Sequence, residues 1–486
     1  MKMKNYKYII AILSVFGFYA CTDDFIDREP AYSIDSENFF NSETEYYQAL
    51  VGAYDLLQSS YVNVMLGEIA SNNTLCGGES ATDVIGFQQI DDMIHTPVNS
   101  NLRDIWNWMF AGVNRANYIL EFQDKTDFEG KNVIIGEARF LRAYYHFELV
   151  KWFGGIPIKG DARFALGDET SIPRSSVEEV YALIEADLQY AVDNLSYTAP
   201  QVGRATKGSA QALLGKAFLY QDKFSDAANV LDDLINNGPY DLVSDYESIF
   251  ENPGENGIES VFEVQYTDAE GAGFGCLQCS EGNVAVGFNG IRNYSGPDFD
   301  SGFSFNVPVQ DVVDAFETGD IRKDVAILDI EAWAAQTGAT YGVGYEHTGF
   351  YNRKYIARQG DQNLGDQNLT NPNNYRAIRF ADVLLMAAEA FNRSGIDDSK
   401  ALSYLNRVRE RAELDDLNSS GANLTSDIYK ERRVELVGEG HQFFDLVRTG
   451  RGNQIDGFTP NKHEIFPIPL EEIQFSNGNW EQNPGY

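Results

Sequence analysis

Four cysteines and five histidines carry the widest chemical repertoire in this chain, and their spacing decides what they can do. Cys276 and Cys279 stand in the run CLQC, the spacing of a redox pair or of half a zinc site. No second pair completes a zinc site, and the glycine-rich flanks lack the strand and helix that a thioredoxin-like motif needs. What remains is a local or loop-tying disulfide, or free thiols. With Cys21 set aside, Cys76, Cys276 and Cys279 allow at most one disulfide within the chain. His95, His146, His347, His441 and His463 are scattered, and each reads as a structural histidine. Neither H-E-x-x-H nor G-x-S-x-G occurs, and after Gly215-Lys216 stands Ala217, where a phosphate loop needs serine or threonine. With 73 acidic residues, a glycosidase carboxylate pair stays open on sequence alone. Residues 1–20 have the layout of an export signal: Lys2, Lys4 and Lys7, an apolar stretch from Tyr8 to Tyr19, and Ala20 directly before Cys21. That stretch is shorter than the roughly 20 apolar residues that span a bilayer.

Phe18-Tyr19-Ala20-Cys21 resembles the lipobox of bacterial lipoproteins, with phenylalanine where leucine is commonest. On that reading Cys21 receives lipid and becomes the first residue of the mature chain, 21–486. Each buried methylene contributes roughly 0.8 kcal/mol and a single chain anchors only marginally, so several acyl chains on Cys21 would tether the domain stably. Asp23 and Asp24 resemble the signal that sends such lipoproteins to the outer face of the outer membrane. The formal charge is -36, and loss of the three leader lysines makes the mature chain more acidic still. Such a surface repels phosphate backbones, so nucleic acid and anionic lipid are poor ligands.

These residues must be positioned by two kinds of chain. Helical periodicity covers about 43–60, 102–237 and 375–450, while 61–101 and 265–360 read as loops with short strands. In "TKGSAQALLGKAFLYQDKFSDAANVLDDLINNGPY", Leu214, Gly215, Phe218, Ala227, Leu231 and Pro239 fall in register with the tetratricopeptide pattern, a 34-residue helix-turn-helix. "VLLMAAEAFNRSGIDDSKALSYLNRVRERAEL" fits less fully. Such pairs bury a seam only when stacked, so the helices of "EARFLRAYYHFELVKWF" and "SSVEEVYALIEADLQYAVDNL" are expected in the same stack. The fold class is therefore mainly α, a scaffold of helix pairs with a loop-rich remainder.

Five blocks then carry a family resemblance: "EARFLRAYYHFELVKWFGGIPI", "FNVPVQDVVDAFETGDIRKD", "YRAIRFADVLLMAAEA", "IYKERRVELVGEGHQFFDLVRTG" and "IFPIPLEEI" with the closing "QNPGY". In order and along the whole mature chain they resemble the SusD/RagB family, with Gln442 where many members have arginine. The resemblance implies a single SusD-like domain and a surface lipoprotein that captures oligosaccharides, or in some relatives peptides. It implies a SusC-like TonB-dependent transporter as partner, no catalysis, no cofactor and no metal. A peptide-holding scaffold of the same fold is the alternative. Within the blocks, Arg139, Arg142, Glu148, Arg432, Arg433, Glu435, Asp445 and Arg448 read as structural ion pairs.

A neutral glycan site needs flat aromatic faces with amides and carboxylates at the rim. Trp106, Trp152 and Trp480 lie in or beside the blocks and read as core; Trp106 and Trp108 point to different faces of one helix. Trp333 lies outside the blocks, beside the loop of Tyr341 and Tyr345, and is the leading stacking platform. Tyr294, Phe288 and Tyr341 are its candidate partners. Asn72, Asn73, Asp83 and Arg292 are polar candidates from the two loop-rich regions that the family uses for ligands.

Overall fold

Gly215 sets the closest helix approach of the tetratricopeptide-like pair: a Cβ built there would lie 2.4 Å from Leu231 Cδ2. Only a residue without a side chain lets the helices Lys207–Leu219 and Phe224–Asn237 close to that distance. The computed structural model describes residues 39–361 and 367–486. Cys21 and the leader lie outside them.

The principal helices are α1 (Glu43–Asp55), α2 (Tyr61–Ile69), α3 (Ile85–Asp91), α4 (Ser100–Glu121), α5 (Lys131–Phe153), α6 (Val177–Asn194), α7 (Lys207–Leu219), α8 (Phe224–Asn237), α9 (Ile330–Thr337), α10 (Phe380–Ser394), α11 (Asp398–Arg411), α12 (Gly421–Glu435), α13 (Gln442–Arg448) and α14 (Leu470–Phe475). Neighbours in sequence pack from α4 to α8, and α10 joins the stack against α8, α11 and α12. Local chemistry fixes their ends. Ser176 and Glu179 form a reciprocal capping box at the start of α6, and Thr206 and Ser209 do the same for α7.

Three of these helices fall where the sequence pattern reads as loop: α2 and α3 within 61–101 and α9 within 265–360. α2 occupies "YVNVMLGEI", and eight of its nine residues are buried. A helix enclosed on all sides shows no amphipathic stripe, so periodicity passes over it. α3 is short and begins after Val84, whose φ of 42° breaks the chain direction.

Strands are few and short. β1 (Thr74–Leu75) pairs with β5 (Val307–Pro308), β2 (Ser260–Val264) with β8 (Tyr375–Arg379) and β6 (Ile327–Asp329) with β7 (Phe350–Asn352), all antiparallel. β3 (Ile291–Arg292) pairs in parallel with β4 (Ser301–Gly302). The main core runs through the helical scaffold, and a smaller cluster gathers Ile291, Tyr294, Phe299, Ile330 and Tyr351 within the loop-rich part. Cys276 and Cys279 form a local disulfide there, while Cys76 is buried and unpaired.

The block charges are paired as their composition suggests. Arg142 grips Asp187 at both oxygens, Nε at 2.7 Å and Nη2 at 2.8 Å, with both side chains buried. Arg432 reaches Asp382 and Asp445, and Arg448 reaches Glu389 and Asp445. Arg433 donates to Asn73 Oδ1 at 2.8 Å and pairs with Asp311. Where the family commonly has arginine, Gln442 donates its amide to Asn72 Oδ1 at 3.1 Å.

The densest network surrounds Glu435. Its carboxylate accepts from Arg379 at 2.7 Å, Arg411 at 2.6 Å and Arg322 at 2.9 Å. Arg379 also holds Glu259 and Glu439, and Lys354 holds Glu439 at 2.6 Å. Burial alone would push the Glu435 carboxyl up; Arg411, Arg379 and Arg322 outweigh it and hold the group well below its ordinary 4.5.

Two outcomes follow. Glu435→Gln removes the carboxylate that three buried guanidinium groups share, leaving Arg379 with Glu259 and Glu439, Arg411 with Glu259, and Arg322 with Asp320 and Glu431, each one counter-ion short. The substitution should cost about 3–5 kcal/mol of stability, read by urea unfolding; a loss under 1 kcal/mol would refute a structural role for the network. Glu435, Glu439, Asp382 and Asp445 all have folded values below their ordinary ones. Their contribution is therefore full above about pH 4.5 and falls as pH drops, so the melting temperature should decline steeply below about pH 4. A flat profile from pH 6 to pH 3 would contradict this.

Candidate functional site

Three loop segments are stitched into one face by backbone hydrogen bonds. Gly78 N donates to Ser304 O at 2.8 Å, Tyr345 N to Gly78 O at 2.9 Å, and Gly342 N to Arg292 O at 2.7 Å. The approach is tight at Gly77, where an added Cβ would lie 2.1 Å from Ser304 O. Each segment also holds a non-glycine residue in the left-handed region: Val84 at φ 42°, Asn293 at 49°, Ser304 at 58° and Glu346 at 50°. Such conformations cost of order 1–3 kcal/mol each and persist where surrounding contacts impose them, which is a recurring property of functional loops.

Trp333 stands on α9. Asp329 caps that helix by accepting from Ala332 N at 2.9 Å, and Gly338, at φ 77°, ends it. The indole is half-buried. Its Nε1 donates to the Tyr294 hydroxyl at 2.8 Å, which in turn donates to Pro297 O at 2.7 Å. Phe299 packs against it with ring centroids 5.3 Å apart. Tyr341 is half-buried at the edge of the same cluster, with the His347 ring 5.7 Å away. Trp333, Tyr294 and Tyr341 are thus brought together, with Tyr294 serving as the hydrogen-bonded support for the indole.

Arg292 and Asp83 meet at a neighbouring point of this face, Nη2 to Oδ2 at 3.5 Å. Arg292 is oriented by Phe303 O at 2.9 Å and Ser304 Oγ at 3.3 Å, and Asp83 by Glu79 N at 2.8 Å. Both keep partial exposure, 18% and 31% of the side chain, so hydrogen-bonding capacity remains for a ligand.

Phe288, Asn73 and Tyr294 are placed differently from the sequence reading, Tyr294 being buried at 8% exposure as the support of the indole and so offering no stacking face of its own. Phe288 is buried at 4% exposure among Phe87, Phe303 and Phe305, so it backs the face from within and offers no stacking surface. Asn73 is fully buried and is engaged by Arg433. Residue type and loop location alone could not separate these three from exposed candidates.

Asn72 lines a separate cleft of about 920 Å³, together with Asp91, Asp92, Asp311, Asp456 and Arg433. Leu75 belongs both to this cleft and to the rim of the Trp333 cluster, so the two adjoin. The acidic lining is not visible in the sequence because its members come from three distant segments. Burial, opposed by the Cys76 N–H, pushes Asp91 up to about 7, with Asp92 and Glu346 adding to the rise. His146 and His441 are buried in the scaffold, and burial lowers both to about 3. Among the described residues no group of three histidine, cysteine or acidic side chains could hold a metal ion, and no helix is long and apolar enough to cross a membrane.

Comparison with known proteins gives this geometry a context. Residues 247–486 match the SusD family, and residues 24–219 match a family described as starch-binding and associating with the outer membrane. SusD-like protein P2 of Formosa agariphila is 28% identical over the full length of both chains. A solved laminarin-binding SusD-like protein is 34% identical, with a TM-score of 0.84 over 92% of this chain and all of the other. Surface glycan-binding protein A from Bacteroides thetaiotaomicron, solved in complex with laminarihexaose, is 26% identical, with a TM-score of 0.80 over 91% of this chain and 99% of the other. By these matches, and by the helix-paired fold that carries its signature blocks, the chain belongs to the SusD/RagB family.

Proposed function

We propose that this protein is a non-catalytic, cell-surface lipoprotein that binds neutral oligosaccharides and passes them to a partner TonB-dependent outer-membrane transporter. The observation that carries the reading is the Trp333 indole, half-buried on α9 and locked by the Tyr294 hydroxyl, with Tyr341 and the Arg292–Asp83 pair on the same stitched face. An indole so held offers an apolar plane for the C–H side of a sugar ring, and the ion pair supplies donors and acceptors for ring hydroxyls. The acidic cleft that adjoins the cluster at Leu75 extends the run of acceptors. Relatives named for laminarin and laminarihexaose make a glycan the first ligand to test. Cys21, read as the lipidated residue, supports the anchored location, and the family's description as associating with the outer membrane agrees with it.

Trp333→Ala should abolish binding of laminarihexaose in calorimetry, at least a 50-fold loss at ~2.3 kcal/mol per factor of 50, with the melting temperature shifted by no more than a few degrees. Unchanged affinity would remove Trp333 from the site. Tyr294→Phe leaves the indole N–H without its acceptor and should weaken binding by about 1–3 kcal/mol without abolishing it; full wild-type affinity would show that the platform orients itself without the tyrosine. Cys21→Ser should end incorporation of labelled fatty acid and release the protein from the cell envelope. Retained label would place the acyl group elsewhere.

A further inference from the structure

A second aromatic cavity, of about 290 Å³, lies between α4, the segment that follows α5, and the C-terminal chain. One stripe of α4 supplies Trp106 and Phe110, the segment after α5 supplies Phe164, and Trp480 closes the floor. The rings pack on one another, Trp106 to Phe110 at 4.7 Å, Phe110 to Phe164 at 5.8 Å and Trp106 to Trp480 at 6.0 Å. Asn114 fixes Phe164 by accepting from its N–H at 2.7 Å and donating to its carbonyl at 3.2 Å.

The polar lining has a one-sided hydrogen-bond inventory. Trp480 Nε1 is committed to Ile172 O at 2.8 Å, Trp106 bonds the Glu472 carboxyl, and the Asn114 amide is taken up by Phe164. What remains are the Asn107 amide and the carboxylates of Asp168, Glu169 and Glu472, so acceptors outnumber donors. Asp168 is neutralised by Lys159 at 2.5 Å, but among the described residues no basic side chain reaches Glu169 or Glu472 within ion-pair distance. Burial raises Glu472 above its ordinary range, and Glu169 and Glu471 beside it add to the rise. Glu169 accepts from Gly167 N–H at 2.9 Å and Glu472 from Trp106, yet neither has a counter-ion among the described residues, and aromatic walls beside carboxylates that lack one attract a cation.

The rim points to the source of that cation. Leu166 is fully exposed beside Ala165 of the wall, and Phe475, at 61% exposure, lies one turn from Glu472 on α14. An apolar rim around a small charged hole has the anatomy of a protein hot spot, where arginine is enriched and surrounding contacts exclude water. The volume, at the low end of the ~300–1,000 Å³ of ligand pockets, suits one side chain.

We propose that the Trp106–Trp480 cavity is a docking socket for another protein, which inserts a basic side chain, arginine by preference, between the aromatic rings and the Glu169–Glu472 carboxylates while its flanking apolar residues cover Leu166 and Phe475. Arginine is preferred because its guanidinium is weakly hydrated and stacks on aromatic planes. The socket stands independently of the glycan face, and its failure would leave that reading intact.

The test compares two peptides on the full chain by ligand-observed NMR titration: acetyl-Leu-Arg-Leu-amide and its counterpart with neutral citrulline. The arginine peptide should bind at least tenfold tighter, the double variant Glu169→Gln/Glu472→Gln should erase that preference, and Trp333→Ala should leave it in place. The surface variant Leu166→Ser, which removes no buried contact, should weaken both peptides. Equal affinities, no binding of either peptide at millimolar concentration, or a preference that survives the double variant would overturn the socket. Displacement by laminarihexaose would reassign the cavity to saccharide, and tighter binding of spermidine than of the arginine peptide would reassign it to a free polyamine; either result overturns the proposal.

Discussion

The buried lattice around Glu435 is the constraint on which the rest of the molecule depends. Its members come from α12, α11, the β8–α10 junction and the loop-rich segments that carry Arg322, Lys354 and Glu259. A charge removed from water costs several kcal/mol even after relaxation, so each must find its counter-ion in place. Here every carboxylate serves more than one cation, and Tyr246 lies under the guanidinium of Arg411 at 4.6 Å. Satisfaction of one pair therefore requires the others, which makes the junction between helical stack and loops an all-or-none structure. The loops are positioned relative to the scaffold by this lattice more than by sheet pairing, since the strands are only two to five residues long.

That anchoring explains how short segments without regular structure maintain a defined surface. The Gly77, Gly78 and Gly342 contacts bring three strands of irregular backbone within direct hydrogen-bonding distance. The left-handed residues among them are strained individually and stable collectively. Phe288 and Phe305 insert beneath this surface into the main core, so the face is fastened from below as well as along its edges.

Much of the scaffold was legible because its chemistry is local. The Gly215–Leu231 approach, the Ser176 capping box and the paired charges of the helical blocks all follow from residues a few turns apart or from charges too numerous for a packed helix to leave unmatched. α2 escaped because complete burial erases its periodicity, and the burial of Asn73 depends on Arg433, 360 positions away in sequence. At the site, Trp333, Tyr294 and Tyr341 read from sequence as aromatics of a loop-rich stretch, whereas Trp333 stands on α9 and the arrangement of the three arises from β6–β7 pairing and from the Ser295–Thr340 bridge. The Trp106–Trp480 cavity illustrates the converse: both tryptophans read correctly as core, and it takes three-dimensional packing to leave a gap between them.

The two-step relay from indole N–H to phenol to the Pro297 carbonyl means that the ring's orientation is settled before anything arrives. Little rotational freedom is left to lose on contact, so shallow engagement can suffice where a mobile ring would require deeper enclosure. Shallow engagement also shortens residence.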